Sequence, residues 1–480
     1  MANIIERMMK TIHFLFIVMS IGILISFPLS RVSSWDEVDF SLAVHHFDLL
    51  NMQPHFPGYP YFVLGGMFFS SFINHPTLSL VYFNIFLFVS SFFPIYQLAK
   101  RAVQSYAIYV TSMTMTISYV AVVTVQPMSE GAALSVLWWY IWSLIVAEES
   151  ETKWVKWIPA FLFSILLGIR LSYILFGIGL LWYWVEEWKK GKKWSVLWKH
   201  LVVALIFQCI WIGGLVVSEG SVSRFISLAF GFTGGHFSDW GGAVTTEEHF
   251  SFFERILTLL GHNLLWTGVA SQTIVLLLLY SSIFIVALFR RKKQSIQKLD
   301  ILILYSFIAY FIWALLAQNI EKPRHILPLV TLLIFWISWK AFLYRKKSII
   351  VFLFTATVFV QMVTSFSLLK EQYDDKPAIH QLIDYLEKKD EPFIIYTWEE
   401  TRVMEYYNVP YQHKRILTYA LFLQDTSYYE NRTIYVTNHV LEGFRKQGVD
   451  VSDRVKKVKD FTSNEIFDPV YSKITLYKWE

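Results

Sequence analysis

The chain has 480 residues, 55% of them apolar, 18% aromatic and only 16% charged, with a mean hydropathy of +0.43. These proportions exclude an ordinary water-soluble domain and indicate a helical protein that crosses a bilayer several times. The formal charge of +5 sits mostly at the ends of apolar runs, so it marks topology and not nucleic-acid binding, and the one cysteine, Cys209, excludes a disulfide framework or a cysteine-ligated metal.

The first apolar run, 11–29, follows Arg7 and Lys10 and has no small-residue cleavage pattern. It is read as a retained helix of a cell-membrane protein whose amino terminus is cytoplasmic. Beyond it comes SSWDEVDFSLAVHHFDLLNMQPHFPGYP at 33–60, which carries Asp36, Glu37, Asp39, His45, His46, Asp48 and His55 between that run and a very apolar remainder. Apolar runs follow at 59–73, 78–98, 105–125, 127–147, 157–184, 197–217, 264–289, 299–317, 324–343 and 348–367. Together they predict a polytopic α-helical membrane protein with about 10–12 transmembrane segments.

KKGKK (189–193), RRKK (290–293) and RKK (345–347) are mutually consistent cytoplasmic markers. They place loop 218–262, the EKPRH segment and the tail on the outer face, with the polar loop 30–58. Two arrangements of the first half stay open. With Lys100 and Arg101 inside, run 59–73 is a half-helix or surface helix, and 157–184 forms two limbs meeting outside near 168–172. With them outside, each run crosses once. The first is preferred because it puts Glu130 and Arg170 on the same face as Asp36. The aromatic, glycine-rich loop 218–262 reads as short helices on the membrane surface or as a plain anchored connection.

Composition changes near residue 370: 34 of the last 110 residues are charged, against 45 of the preceding 370. This predicts a membrane module over 1–367 and a soluble extracytoplasmic α/β domain over 368–480. In that tail PAIHQLIDYLEKK has helical period, PFIIYTW, RTIYVTNH and SKITLYKW read as strands, and LEGFRKQG reads as a helix closed by Gly448. No glycine-rich phosphate loop is present.

The chemistry-bearing residues cluster at outer span ends. Asp36, Glu37 and Asp39 lie at a helix start, where Asp36 and Asp39 share a face and Glu37 points aside. A carboxylate there can take a proton from an acceptor hydroxyl or ammonium as it attacks a sugar carbon, and a second can orient the acceptor. Helix capping alone accounts for one of the three. PHFPGYP, at 54–60, is a rigid turn that holds His55 against the membrane. Glu130 and Arg170 sit in apolar runs, where a charge costs roughly 2.5–3.5 kcal/mol on insertion scales and usually lines an internal cavity. They read as substrate-positioning and phosphate-binding groups, or as a pair that only fixes helix packing. Lys322, Arg324 and His325 in EKPRHILPL stand on the wrong side for a topology signal and near a helix start, which suits a phosphate; a solvated interface is the plainer reading. His236 and Asp239 in GGHFSDWGG are weaker substrate-positioning candidates. No metal-ligand spacing is convincing; one divalent cation, magnesium or manganese, between Asp36 or Asp39 and a phosphate stays open. An ion-coupled transporter or lipid-carrier flippase is the alternative, against which stand the lack of an internal repeat and the outer-face position of the polar groups.

These residues resemble the GT-C superfamily of integral-membrane glycosyltransferases, above all its protein O-mannosyltransferase and aminoarabinose-transferase group. The family's acidic first-loop element matches Trp35-Asp36-Glu37, and its His-Pro-Pro element matches His55-Phe56-Pro57 with Phe56 departing. Its later acidic residue looks like Glu130, its Gly-x-Arg turn like Gly168-Ile169-Arg170, and its late arginine element like Arg324-His325-Ile326-Leu327-Pro328 without the second proline. The arginine expected after the first loop is missing from LSLVYFNIF, so donor handling must differ or pass to Arg170 or Arg324. The resemblance covers roughly residues 10–345. It implies an inverting transfer of a sugar from a polyprenyl-phosphate donor to a protein, wall-polymer or lipid-glycan acceptor on the outer face.

Overall fold

The computed structural model describes residues 2–191, 194–245, 251–288, 297–343 and 347–480. After α1 (Ala2–Ser26), the polar loop forms the short helix α2 (Trp35–Ala43). Run 59–73 becomes α3 (Pro60–Ser70), whose 11 residues span about half of what a crossing takes. Proline stands at its first turn, and Gly65 and Gly66 let it lie on α4 (Pro76–Val103), because a Cβ at Gly65 would fall 2.3 Å from the Phe83 ring. Run 105–125, expected as one span, is broken at Thr116–Ile117 into α5 (Ala107–Met115) and α6 (Ser118–Thr124).

α7 (Ser129–Glu149) is the buried centre of the body. One end carries Glu130 and the other Glu148, which pairs with Lys190 and Lys298 at 3.0 and 2.7 Å. Eighteen residues of helix, about 27 Å at 1.5 Å each, separate the two charge groups, close to the ~30 Å of a hydrocarbon core. Run 157–184 turns at Arg170: α8 (Ile158–Ile169) ends there, the backbone is extended (φ −155°, ψ 102°), and a 3₁₀ segment leads into α9 (Ile178–Gly191).

Loop 218–262 does form short helices. α10 (Trp194–Glu219) is followed by α11 (Val222–Gly235), a π-helical turn and α12 (Phe252–Leu257). Run 264–289, expected as one span, is corrected by the structure. A π-helical stretch ends at Val269, Ser271 and Gln272 take positive φ (47° and 57°), and α13 (Ile274–Leu288) leaves at 104°. α14 (Lys298–Ala317), α15 (Leu327–Ala341) and α16 (Lys347–Asp374) complete the body. Among the described residues six helices are long and apolar enough to cross a membrane, or seven if the bent pair is one span.

α16 runs into the carboxy-terminal α/β part, which opens with α17 (Ala378–Leu386). Its five strands are β1 (Phe393–Thr397), β2 (Gln412–Arg415), β3 (Thr433–Thr437), β4 (Val455–Thr462) and β5 (Lys473–Trp479), in the order β2-β1-β3-β5-β4. The pairs β2/β1 and β1/β3 are parallel and the pairs β3/β5 and β5/β4 antiparallel. The three predicted strands are β1, β3 and β5, and α18 (Glu400–Tyr406), α19 (Tyr419–Thr426) and α20 (Asn438–Lys446) cover the sheet. The two edge strands carry no strand pattern in the sequence: QHKR is short and polar, and β4 carries four lysine or aspartate residues and a register break between Lys457 and Lys459 that spoils its alternation.

The two parts meet on α2. Phe40 and Val44, four residues apart, pack into the core of the membrane body. Val38 and Leu42, on the opposite side, pack with Ala378, Leu382 and Leu476 in the core of the α/β part. In return Ile466, from the β4–β5 connection, is buried in the core of the membrane body.

Asn84 of α4 ties the start of α7 in place. Its side chain donates to the Gln126 and Met128 carbonyls, both at 2.9 Å, and accepts from the Ala132 amide at 3.0 Å. Asn84→Leu keeps the volume and removes all three bonds. With about 1–3 kcal/mol lost per buried group left unsatisfied, a fluorescence-monitored melt in detergent is expected to shift down by several degrees. An unchanged melting point would show that the α7 start is held by packing alone.

Candidate functional site

α2 owes its position to its own carboxylates as much as to its apolar faces. The Ser34 side chain makes no capping bond; instead Glu37 reaches back, accepting from the Ser33 amide at 2.6 Å and the Ser33 hydroxyl at 2.9 Å. Asp36 and Asp39 point elsewhere, each to a different partner.

Asp36 Oδ2 accepts from Arg324 Nη2 at 3.0 Å. The same guanidinium places Nε 3.0 Å from Glu130 Oε1, and Arg170 Nη2 lies 3.1 Å from that oxygen. Arg170 also donates to the Ser129 hydroxyl at 2.9 Å. Two arginines thus converge on one carboxylate, which is 1% exposed, and Asp36 of the first loop is attached to one of them. The Asp36 side chain is the open edge of this group, 31% exposed. Burial disfavours its charge, but Lys322, His55, Arg324 and Arg170 prevail and hold its carboxyl well below the usual carboxylate range.

Asp39 is fully buried and lies 3.2 Å from His55 Nδ1 and 3.0 Å from Arg402, a residue of α18. His55 Nε2 meets the Tyr59 hydroxyl at 3.0 Å, and its ring stacks on Phe232 of α11 at 5.8 Å. Burial opposes protonation of His55, yet the Asp39 hydrogen bond and the Asp36 charge raise its pKa. Arg402 further donates to the Asn51 and Met52 carbonyls, so it fastens the α/β part to the first loop at three points. Trp35, the residue before Asp36, carries the guanidiniums of Arg402 and Arg415 over its ring at 5.4 and 4.8 Å.

Of the residues singled out in the sequence, Asp36, Glu130, Arg170 and Arg324 form one contact group, with Lys322 near enough to act on Asp36. His55 joins through its charge on Asp36, while its contacts are with Asp39 and Tyr59. His325 is in the 3₁₀ turn Pro323–Ile326 beside Arg324; its Nδ1 is buried and has no hydrogen-bond partner among the described residues. Glu37 turns to Ser33, away from Arg324's hydrogen bonds. His236 meets the Ala317 carbonyl at 2.9 Å, a contact that ties its turn to the end of α14, and the Asp239 side chain lies outside the described residues. For a cation, Asp36 and Asp39 are engaged by different partners. Among the described residues no three His, Cys, Asp or Glu side chains are placed to hold a metal ion.

Arg402 and Asn84 were not legible as site-building residues. Arg402 stands in a tail where charge is common, and nothing in WEETRVMEYY sets it apart. Asn84, a lone polar residue in an apolar run, was the one available signal for the anchor of α7.

No protein-family model matches the sequence, and no curated protein matches it. Among solved structures the chain is similar to ArnT from Cupriavidus metallidurans bound to undecaprenyl phosphate, at 10% identity and a TM-score of 0.58, over 97% of this chain and 97% of that one. It is similar to the same protein in the apo state at 9% identity and a TM-score of 0.57, again over 97% of each chain. At such identities the likeness establishes the overall fold.

Burial pushes the Glu37 carboxyl up from its ordinary 4.5 to about 7, against the two Ser33 hydrogen bonds. The unfolded chain releases this proton near 4.5 while the folded chain keeps it, so stability from this group is complete below pH 4.5 and is lost as pH rises through about 7. Glu37→Gln cannot ionise. Between about pH 5 and about pH 8 the natural chain is expected to lose up to about 3 kcal/mol relative to the variant, read as diverging melting temperatures. Parallel pH profiles would contradict a proton held at Glu37.

Proposed function

Starting from a polytopic membrane chain with the GT-C fold, we propose that it is a glycosyltransferase that moves a sugar from a polyprenyl-phosphate carrier to an acceptor on the outer face of the cell membrane. Its amino terminus is then cytoplasmic and its α/β part extracytoplasmic. The observation that carries the reading is the Asp36–Arg324–Glu130–Arg170 group. It is a buried set of guanidiniums with one carboxylate at its open edge, built at the end of the membrane core where a lipid phosphate would lie. The undecaprenyl phosphate in the similar ArnT structure agrees with a carrier of that class.

The chemistry follows from the charges. A donor phosphate brings negative charge to Arg170, Arg324 and Lys322, and a guanidinium's planar fork can take two of its oxygens. In the resting chain Arg324 is already paired with Asp36. Phosphate binding competes for that guanidinium and offsets the cations that depress Asp36, so the carboxylate gains basicity when the donor arrives. Asp36 then takes the proton from the acceptor's hydroxyl or amine as this attacks the anomeric carbon. The bond to the phosphate oxygen breaks on the opposite side, and the polyprenyl phosphate leaves with its charge held by the arginines. One displacement of this kind inverts the anomeric centre. Glu130 keeps both arginines aimed, and His55 with Asp39 fixes the loop from which Asp36 projects.

Asp36→Asn keeps the shape and removes the base. Transfer of labelled sugar from polyprenyl-phosphate donors into an envelope extract is expected to fall by roughly 10²–10⁴-fold, with undecaprenyl phosphate still bound; full transfer by this variant removes Asp36 from the role. Arg324→Lys preserves charge but loses the fork. Its expected effect is a donor KM raised by about tenfold, and an unchanged KM would place the phosphate elsewhere.

A further inference from the structure

A cavity of about 530 Å³ opens between the start of α2, the end of α16 that leads into the α/β part, and the β4–β5 connection. Its wall includes Glu37, Gln372, Asp375, Asn464, Asp468 and Tyr471. The connection is fastened to the membrane body on two sides. Gln126 Nε2 donates to the Phe467 carbonyl at 3.0 Å, and Asn464 Nδ2 donates to Glu371 at 3.0 Å. The volume lies within the ~300–1,000 Å³ of small-molecule sites.

One of its polar groups lacks a partner. Gln372 is 6% exposed, and its Oε1 is buried with no hydrogen bond among the described residues. Glu37, 5% exposed, accepts both Ser33 hydrogen bonds through Oε2. A buried acceptor left unmade costs about 1–3 kcal/mol, so the Gln372 oxygen calls for a donor from outside the chain. The sign of the lining is negative. Besides Glu37, whose carboxyl holds its proton up to about pH 7, the lining has three carboxylates, Glu371, Asp375 and Asp468, against Arg31 and Lys376, of which Arg31 donates to the Gln372 and Asp375 carbonyls and Lys376 pairs with Asp384. An anion is repelled there, whereas hydroxyl or ammonium donors find acceptors.

Glu37 and Asp36 are consecutive on α2, about 100° apart around the helix, so this helix forms the partition between cavity and arginines. Asp468 acts electrostatically on Glu37 from one side and on Arg324 from the other. We infer that the cavity takes the acceptor, as a neutral or amine-bearing sugar unit and not as a phosphate-bearing chain; the word acceptor rests on the glycosyl-transfer reading above.

The test uses the full chain in lipid nanodiscs and saturation-transfer NMR with three probes: cellobiose, the glucosamine disaccharide and glucose 6-phosphate. The expected result is signal from the two disaccharides and none from the phosphate. Ser463→Trp, which fills the cavity, and Gln372→Leu, nearly isosteric, are each expected to weaken disaccharide binding by about tenfold. Silence from both disaccharides, a preference for glucose 6-phosphate, or undiminished binding in both variants overturns the inference. Undecaprenyl phosphate is titrated in parallel and reports whether each variant is folded. Lipid bound without disaccharide overturns the cavity alone; disaccharide bound without lipid upholds the sugar site and overturns the donor reading.

Discussion

Arg324 is the group on which one end of the membrane body depends. Its guanidinium holds Asp36 of the first loop and Glu130 of α7, both at 3.0 Å, and Glu130 in turn holds Arg170 at 3.1 Å. Burying an ion costs several kcal/mol, and removing one partner leaves the other uncompensated. The four charges therefore stand or fall together. They join the first loop, the centre of the body, the bend of run 157–184 and the approach to α15. Such a network is a poor stabiliser compared with apolar packing, so its physical value lies in what it fixes: a carboxylate at the edge of a set of cations, where the proposed donor phosphate would compete for Arg324.

α2 makes that geometry possible by serving two cores at once. Phe40 and Val44 belong to the membrane body, Val38 and Leu42 to the α/β part. The α/β part is thus structural for the first loop. Arg402 reinforces this by pairing with buried Asp39 and by binding two loop carbonyls. The same arrangement encloses the cavity, which exists only where the β4–β5 connection meets α2 and α16.

Much of this was legible from residue type and position. A carboxylate just past a span end, an arginine inside an apolar run and a cation cluster on the wrong face each violate a membrane rule, and each violation marked a member of the group around Arg324. Their pairing was not legible in full: a sequence pairs Glu130 with Arg170 by default, and only the fold adds Arg324 to the same oxygen. The break of run 264–289 was hidden because Ser271 and Gln272, which take the left-handed backbone, are not residues that announce a turn. Edge strands β2 and β4 were hidden by their polarity, since their burial is one-sided or small. Arg402 was hidden for the opposite reason, as one charge among many. The first-loop resemblance to GT-C enzymes agreed with the fold, while LSLVYFNIF, where that resemblance expects an arginine, instead supplies Asn84, which anchors the start of α7.

The most direct measurement is a cryo-EM map of the full chain in nanodiscs loaded with undecaprenyl phosphate. The account predicts the phosphate within hydrogen-bonding reach of Arg324 and Arg170, with Asp36 released from Arg324 and turned toward the open side. A lipid phosphate bound elsewhere, with the Asp36–Arg324 pair intact, would contradict it.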